Sequence, residues 1–276
     1  MRKFIALALL LILCISSADF LIEKVDVTIS DIKPDGSTKV HETIKFIMYG
    51  NYSKTIYDGA ISRNDLSYWS SITNLSEIRL HTNPAKVSIE DLRVRPQPRT
   101  KCNPIQGICH GELILDYLAS PAFNNASQNM PVFKTGLFSV IQYKPRTKRY
   151  SLNPNSLAFT TSSDGNIILS DNTFLNIILP EGAVLLDVNP QPSDTILNLP
   201  TKVNSLTWSD IILVKSSMVF DVEEGIDKEV SDFFSGILIG SISYFSSPFG
   251  IAFLLLIIII IGSYFYIKMH KRRGDD

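Results

Sequence analysis

The chain has 276 residues, which at about 150 residues per domain allows one or two domains. Its 26 Lys and Arg residues nearly balance its 27 Asp and Glu residues, which excludes a strongly basic nucleic-acid-binding protein. Charged residues make up only 19% and the mean hydropathy is +0.14, values that exclude intrinsic disorder and indicate a membrane component.

Residues 1–18 have the pattern of a secretory signal peptide: a basic start, an apolar stretch and small residues at the end. This pattern predicts cleavage before Asp19. An uncleaved anchor is the alternative. Lipidation at Cys14 is less favoured, because Leu13 stands where that modification requires a small residue.

Residues 19–143 are predicted to form a first extracytoplasmic β-domain. Apolar and polar side chains alternate over residues 25–29 and 40–48, with turn-forming residues at 33–36, a pattern typical of a β-hairpin. Proline-rich residues 96–98 predict a loop. Further strands are expected at 77–81, 87–94, 112–117 and 137–143, and a short helix at 64–75.

Basic residues in 144–155 predict a linker, after which residues 156–222 are expected to form a second extracytoplasmic β-domain. Turn signals about eight to twelve residues apart favour antiparallel sandwiches. The fold class is therefore mainly β, with two small antiparallel β-sandwich-like domains plus one C-terminal transmembrane helix. The strands of the second domain are expected at 157–161, 167–170, 174–179, 184–188, 195–199, 205–208 and 217–222.

Acidic residues dominate the approach to the C-terminus. Residues 151–232 contain 3 Lys or Arg residues against 12 Asp or Glu residues. We interpret residues 223–248 as an acidic stalk followed by a juxtamembrane apolar segment, with a docking surface for a basic partner as the alternative.

Residues 249–267 contain no charge and, as a helix rising about 1.5 Å per residue, have the length of a membrane span. Basic residues follow in the tail 268–276, and such residues remain cytoplasmic. The sequence therefore predicts a single-pass protein of the cell membrane with its N-terminus outside and its C-terminus cytoplasmic. The residues that carry this topology signal are Lys268, Lys271, Arg272 and Arg273.

Cys102 and Cys109 are the two cysteines that remain after signal removal, and they flank a loop containing proline and glycine. In an oxidising compartment such a pair predicts a local disulfide. A zinc site is the alternative, but it requires two more ligands, and His110 is poorly placed to share a metal with the adjacent cysteine.

Four partial motifs suggest enzymes, but none stands in the required context. His41-Glu42 begins a zinc-protease motif that lacks its second histidine, so we interpret it as a solvated pair on a strand. Ser30-x-x-Lys33, residues 134–136 (Lys-Thr-Gly) and residues 170–172 (Ser-Asp-Asn) match serine β-lactamase motifs but occur in the wrong order. No catalytic residue, cofactor or metal is therefore expected.

Asn51, Asn74 and Asn125 begin N-x-S sequons, which permit glycosylation of an exported chain. They are candidate modification sites rather than a demonstration of modification, since about two such sequons are expected by chance.

The segment Asp35-Gly36-Ser37-x-x-Val40-x-Glu42, after an alternating first strand, resembles the N-terminal domain of an uncharacterised family of prokaryotic membrane proteins. Residues 179–183 (Leu-Pro-Glu-Gly-Ala) are similar to a step in β-domains of archaeal-type surface proteins. The resemblance implies an extracytoplasmic β-domain anchored in the membrane and no catalytic residues. A likeness to the lumenal part of ribophorin-type oligosaccharyltransferase subunits is weaker.

These features favour a non-catalytic binding, adhesion or envelope-organising module held at the membrane. An accessory subunit of an integral-membrane complex is the second hypothesis, and an extracytoplasmic hydrolase is the third. The expected partners are the membrane and another membrane or surface protein; a homo-oligomer is also open, and nucleic acid is not expected.

Overall fold

The computed structural model describes residues 19–124 and 132–223, together with residues 259 and 263. The described residues up to Glu223 belong to one compact unit. The predicted signal peptide, the sequon at Asn125, the basic tail and all but two residues of the predicted membrane span lie outside this description. Within the part of the chain that is described, no helix is long and apolar enough to cross a membrane.

The described residues are mainly β-structure, as the sequence predicts, with two α-helices, of which only the second was expected. The helices are α1 (Gly50–Ala60) and α2 (Leu66–Thr73), and a 3-10 helix covers Pro154–Ser156. The strands are β1 (Asp19–Ser30), β2 (Thr38–Tyr49), β3 (Ser88–Asn103), β4 (Ile108–Ser120), β5 (Ala122–Asn124), β6 (Val132–Lys134), β7 (Phe138–Lys144), β8 (Thr147–Leu152), β9 (Thr160–Thr161), β10 (Ile167–Ile168), β11 (Thr173–Ile178), β12 (Val184–Asn189), β13 (Thr201–Lys202), β14 (Ser205–Ser209), β15 (Ile212–Leu213) and β16 (Ser217–Glu223).

The largest sheet has six strands in the order β14-β11-β1-β2-β4-β3. Its pairs are antiparallel except β1 with β11, which run parallel. Side chains alternate along β2 and β4, so that one face of the sheet is buried and the other meets solvent. This alternation determines which side chains of β2 and β4 are accessible to a ligand.

A second sheet of five strands has the order β13-β12-β16-β8-β7, and two smaller sheets join β15-β10-β9 and β5-β6. Buried residues from the six-stranded sheet, such as Ile44 and Leu115, and from the five-stranded sheet, such as Phe138 and Phe220, belong to one hydrophobic cluster. The two larger sheets therefore share a single core.

Both helices pack an aromatic side chain into this core. Tyr57 of α1 and Trp69 of α2 are fully buried, and their ring centroids lie 5.3 Å apart in an edge-to-face arrangement. Tyr57 also contacts Phe46 of β2, with ring centroids 5.7 Å apart. Because the aromatic rings continue from helix to sheet, the helical segment is fixed against the strands.

Several predicted elements are confirmed and others are wrong. The hairpin of β1 and β2 and the helix at 64–75 are confirmed. Residues 77–81 and 195–199 do not form strands. Helix α1 was not predicted, because its two glycines and its β-branched and aromatic residues give it a low helix propensity. Burial of Tyr57 against the sheet stabilises the helix instead.

The predicted linker at 144–155 is wrong, because these residues contain β8, which pairs with both β7 and β16. The six-stranded sheet also joins β1 and β2 to β11 and β14, strands from both sides of the predicted boundary. A single unit thus replaces two successive domains in the described part of the chain. Basic residues of 144–155 are exposed or half-exposed side chains of a sheet rather than of a linker.

The predicted loop at 96–98 lies inside β3. Proline lacks the N–H that a strand must donate, but β3 is the edge strand of its sheet, where one side needs no donor. The register also shifts between Gln97 and Thr100, as expected where prolines interrupt a ladder.

Candidate functional site

An open groove lies on the solvent-facing side of the six-stranded sheet, across β1, β2, β4 and β3. Its volume is about 590 Å³. We call it the sheet groove. Four basic side chains line it, Lys33, Lys39, Arg93 and Arg95, against two acidic ones, Asp91 and Asp116.

Asp116 on β4 is the centre of an ion-pair group in the sheet groove. Its Oδ1 lies 2.7 Å from His41 Nδ1 on β2, and its Oδ2 accepts a hydrogen bond from the Arg95 guanidinium on β3. Partial burial alone raises the pKa of the Asp116 carboxyl, but the hydrogen bonds from His41 and Arg95 outweigh it and hold the pKa below the usual range. The carboxylate therefore stays charged and fixes both neighbours.

Two cations of the groove, Lys33 and Arg93, lack an acidic partner within the described part of the chain. Lys39 lies 2.7 Å from the Asp31 carboxylate, whereas Lys33 and Arg93 make no ion pair with any acidic side chain in the described residues. Arg93 is opposite Asp116 in the strand register, but that carboxylate already binds His41 and Arg95. With four basic side chains against Asp91 and Asp116, the groove lining carries a net positive charge, which favours an anionic ligand.

A buried polar network lies on the opposite face of the same strands. Glu42 on β2 is 0% exposed, and its carboxylate accepts hydrogen bonds from the His81 backbone N–H at 3.0 Å and from His81 Nδ1 at 2.7 Å. The Tyr117 hydroxyl on β4 donates to the same carboxylate. We call these residues, with Thr82, the Glu42 network.

Tyr117 donates a hydrogen bond to this network through a phenol that stays protonated. Burial raises the pKa of its phenol well above the ordinary value, and the facing charge of Glu42 raises it further. The phenol therefore stays protonated, and Thr82 Oγ1 lies 2.9 Å from its oxygen. Each polar atom of the Glu42 carboxylate is thereby satisfied, as a buried charge requires.

The Glu42 network joins the sheet to the loop that follows α2. The His81 carbonyl accepts from the Ala158 N–H at 2.8 Å, its ring packs on Phe159, and Thr82 forms an isolated bridge with Leu157. Three separate parts of the chain therefore meet at His81. This arrangement clamps the loop onto the core.

The Glu42–His81 pair resembles the carboxylate–imidazole half of a catalytic triad, but the described residues provide no nucleophile in contact with the imidazole. No Ser, Thr or Cys side chain within residues 19–124 and 132–223 is hydrogen-bonded to the His81 ring. No cluster of three or more His, Cys, Asp or Glu side chains suited to a metal ion occurs in the described parts of the chain.

Two predicted site features are located by the structure. Cys102 and Cys109 are joined by a disulfide, with the sulfur atoms 2.11 Å apart, and it closes the hairpin of β3 and β4 near its tip. Asn51 is exposed in the first turn of α1, and Asn74 is exposed at the C-terminal cap of α2 with a left-handed φ of 56°. Both asparagines are accessible to modification.

The partial enzyme motifs are distributed over different elements. Ser30 ends β1 and lines the sheet groove with Lys33, whereas the Ser170 hydroxyl lies 3.0 Å from that of Thr173. The interpretation of His41-Glu42 as a solvated pair holds for His41 alone. It is wrong for Glu42, which occupies an inward position of β2.

The residues that sequence reasoning missed are Arg93, Arg95, His81 and Tyr117. Arg93 and Arg95 alternate with the buried Val94, so strand alternation could have placed both on the outer face. Nothing in the sequence pairs His81 with Glu42, since 39 positions separate them.

The chain matches no protein-family model and no curated protein. Among solved structures it is similar to aminopeptidase A of Legionella pneumophila in complex with aspartic acid, at 12% identity over 74% of this chain and 21% of that chain, with a TM-score of 0.24. The chain spans about a fifth of the length of that enzyme. At this TM-score the likeness carries no argument about fold or activity.

Proposed function

We propose that the protein is a non-catalytic binding module, exported and held at the cell membrane, that recognises an anionic partner through the sheet groove. The signal peptide at 1–18 and the membrane helix at 249–267 supply export and anchoring in this proposal. The resemblance to membrane-anchored prokaryotic surface proteins supports the same assignment.

The carrying observation is the excess of positive charge in the sheet groove. Lys33 and Arg93 are exposed and make no ion pair with any described acidic residue, while Asp116 holds Arg95 and His41 in place in the same groove. Because β4 lies between β2 and β3, cations on these two strands are two strand spacings apart, roughly 10 Å, and can contact separate charges of an extended partner. Rigid strands also limit the entropy lost on binding.

The non-catalytic part of the proposal is supported by the surroundings of His81. Its ring is buried between Glu42 and Phe159, in a network whose hydrogen bonds connect the loop to the sheet. An anchored binding module needs no reactive group, because anchoring raises the effective concentration of the groove near other surface molecules.

The test uses full-length protein in mild detergent and heparin as a polyanionic probe. Wild-type protein should be retained on immobilised heparin at low salt. The variant Lys33→Glu/Arg93→Glu should elute at clearly lower salt, because it reverses the two unpaired charges and because screening weakens the remaining attraction.

The matched control is Lys54→Glu/Lys202→Glu, which changes the net charge equally at positions that do not line the groove. Its elution should stay near that of the wild type. Equal shifts of both variants, or no retention of wild-type protein, would contradict the proposal.

A further inference from the structure

A second cavity, separate from the sheet groove, has a volume of about 480 Å³. Its walls are the loop before β3, the 3-10 helix, the turn between β9 and β10, and the segment after β15. We call it the lysine pocket, because Lys86 and Lys215 line it together with no Asp or Glu among the described residues. A volume of this size holds a small ligand.

The charge of the lysine pocket is unopposed. Neither Lys86 nor Lys215 makes an ion pair within the described parts of the chain, and both are exposed. Two ammonium groups beside one cavity raise the local concentration of small anions. This is a different location from the groove cations, since the two sets of lining residues share no member.

Neutral polar groups accompany the lysines. Asn166 accepts from the Lys215 backbone N–H through its Oδ1 at 3.2 Å, so its amide NH₂ is left available to a ligand. The Asn155 side-chain amide and the hydroxyls of Thr161 and Ser216 also line the pocket without a hydrogen-bond partner in the described residues. Amides and hydroxyls that both donate and accept suit a ligand bearing hydroxyl groups.

The pocket is held in shape before any ligand enters. The Asn83 N–H donates to the Ser156 carbonyl at 2.8 Å, and the Ser156 hydroxyl donates to the Gly136 carbonyl at 2.6 Å. Leu157, Ile167 and Leu213, all buried, provide an apolar floor. Because the backbone around the pocket is already held in place, less conformational entropy is lost when a ligand binds.

We propose that the lysine pocket binds a small hydroxylated organic anion, such as a sugar acid or a sugar phosphate. The anionic group contacts Lys86 and Lys215, and the ligand hydroxyls contact the amides and hydroxyls of the wall. This inference is independent of the function proposed for the sheet groove.

Isothermal titration calorimetry of the full-length protein in mild detergent tests the proposal with glucuronate, glucose 6-phosphate and neutral glucose. At least one of the two anions should bind with a Kd of about 1 mM or tighter, and glucose should bind at least about tenfold more weakly. Binding of one anion and not the other identifies carboxylate or phosphate as the recognised group.

The variant Lys86→Gln/Lys215→Gln should weaken the anion at least about tenfold, because it removes both charged donors. Lys202→Gln, an exposed lysine outside the pocket, and the groove variant Lys33→Glu/Arg93→Glu should leave the Kd unchanged. Absence of binding by both anions, equal binding of glucose, or insensitivity to the pocket lysines would overturn the proposal. Loss of binding in the groove variant would overturn the separation of the two sites.

Discussion

Glu42 shows how a single inward position determines the packing of a distant loop. Position 42 follows the alternation of β2, so its carboxylate lies on the buried face of the sheet. Burying a charge without partners is costly, and the partners come from His81 and Tyr117. The polar residue therefore specifies which loop covers this part of the sheet.

Replacing Glu42 by Gln should lower the free energy of unfolding by about 1–3 kcal/mol, because the amide cannot accept from every donor now directed at the carboxylate. Urea unfolding of the detergent-solubilised protein would measure the change. Glu90→Gln, at an exposed position of β3, is the control and should stay within about 0.5 kcal/mol of the wild type. A Glu42→Gln protein as stable as the control would show that the Glu42 network does not stabilise the packing of the loop on the sheet.

The Asp116 carboxyl should make the stability of the folded protein depend on pH. Its pKa is lowered in the folded protein, so the carboxyl binds protons more weakly there than in the unfolded chain. Its stabilisation is therefore present above the unfolded value of about 3.9 and is lost as the pH falls through the lowered folded value.

The stability difference between wild type and Asp116→Asn should accordingly be present at neutral pH and disappear in strong acid. Because the side chain is 34% exposed, we expect a small difference, below about 1 kcal/mol. Thermal unfolding at a series of pH values measures it. A difference that persists unchanged through the acid range would argue against ion pairing at Asp116.

At the scale of elements, β4 approaches α1 so closely that the contact excludes a side chain. A Cβ at Gly111 would lie 2.7 Å from Phe46 Cε2 and 2.8 Å from Tyr57 Cε2, and both rings are fully buried. Neither ring has free space into which it could move. Gly111 thus permits the contact between strand and helix.

Gly111→Ala should lower the free energy of unfolding by about 1–3 kcal/mol through overpacking. Gly59→Ala is a matched control in α1, where a Cβ meets nothing within 4 Å, and it should stabilise the helix by about 0.5–1 kcal/mol. Changes of opposite sign in the free energy of unfolding, measured by urea unfolding, would confirm the tight contact. Two variants of equal stability would contradict it.

At the scale of the whole molecule, strands that are far apart in the sequence complete each other's sheets. β11 pairs in parallel with β1, and β16 pairs with β8, so the N-terminal and C-terminal parts of the described unit cannot form their sheets separately. We therefore expect residues 19–223 to unfold in a single transition, as small cooperative units do.

Residues 19–223, expressed without the predicted signal and C-terminal segment, should fold as a soluble unit with one unfolding transition, whereas a fragment ending at residue 143 should not fold. Circular dichroism and urea unfolding distinguish the two. Two separate transitions, or a folded fragment 19–143, would restore the two-domain organisation predicted from the sequence.

Membrane topology is tested by protease added to intact cells. The predicted arrangement requires digestion of residues 19–223, while the basic tail after residue 267 remains protected. Survival of the large unit with loss of the tail would invert the proposed orientation. Co-migration with larger membrane proteins in mild detergent would favour the accessory-subunit hypothesis over a module acting alone.

Elements with local signals could be predicted from the amino-acid sequence alone. Alternating side chains predicted β1 and β2, turn residues placed the first hairpin, and the proximity of Cys102 and Cys109 predicted their disulfide. Helix α1 was not predicted, and β3 was predicted only over 87–94 and not through its prolines. Burial of Tyr57 and the edge position of β3 override weak helix propensity and internal prolines.

Long-range packing determines how the strands are shared among sheets and which polar residues meet. The parallel pairing of β1 with β11 joins segments more than a hundred residues apart, and Glu42 meets His81 across 39 positions. The physical reason is that alternation fixes the face on which a side chain lies, whereas its neighbour depends on strand order, which arises from burying one common core.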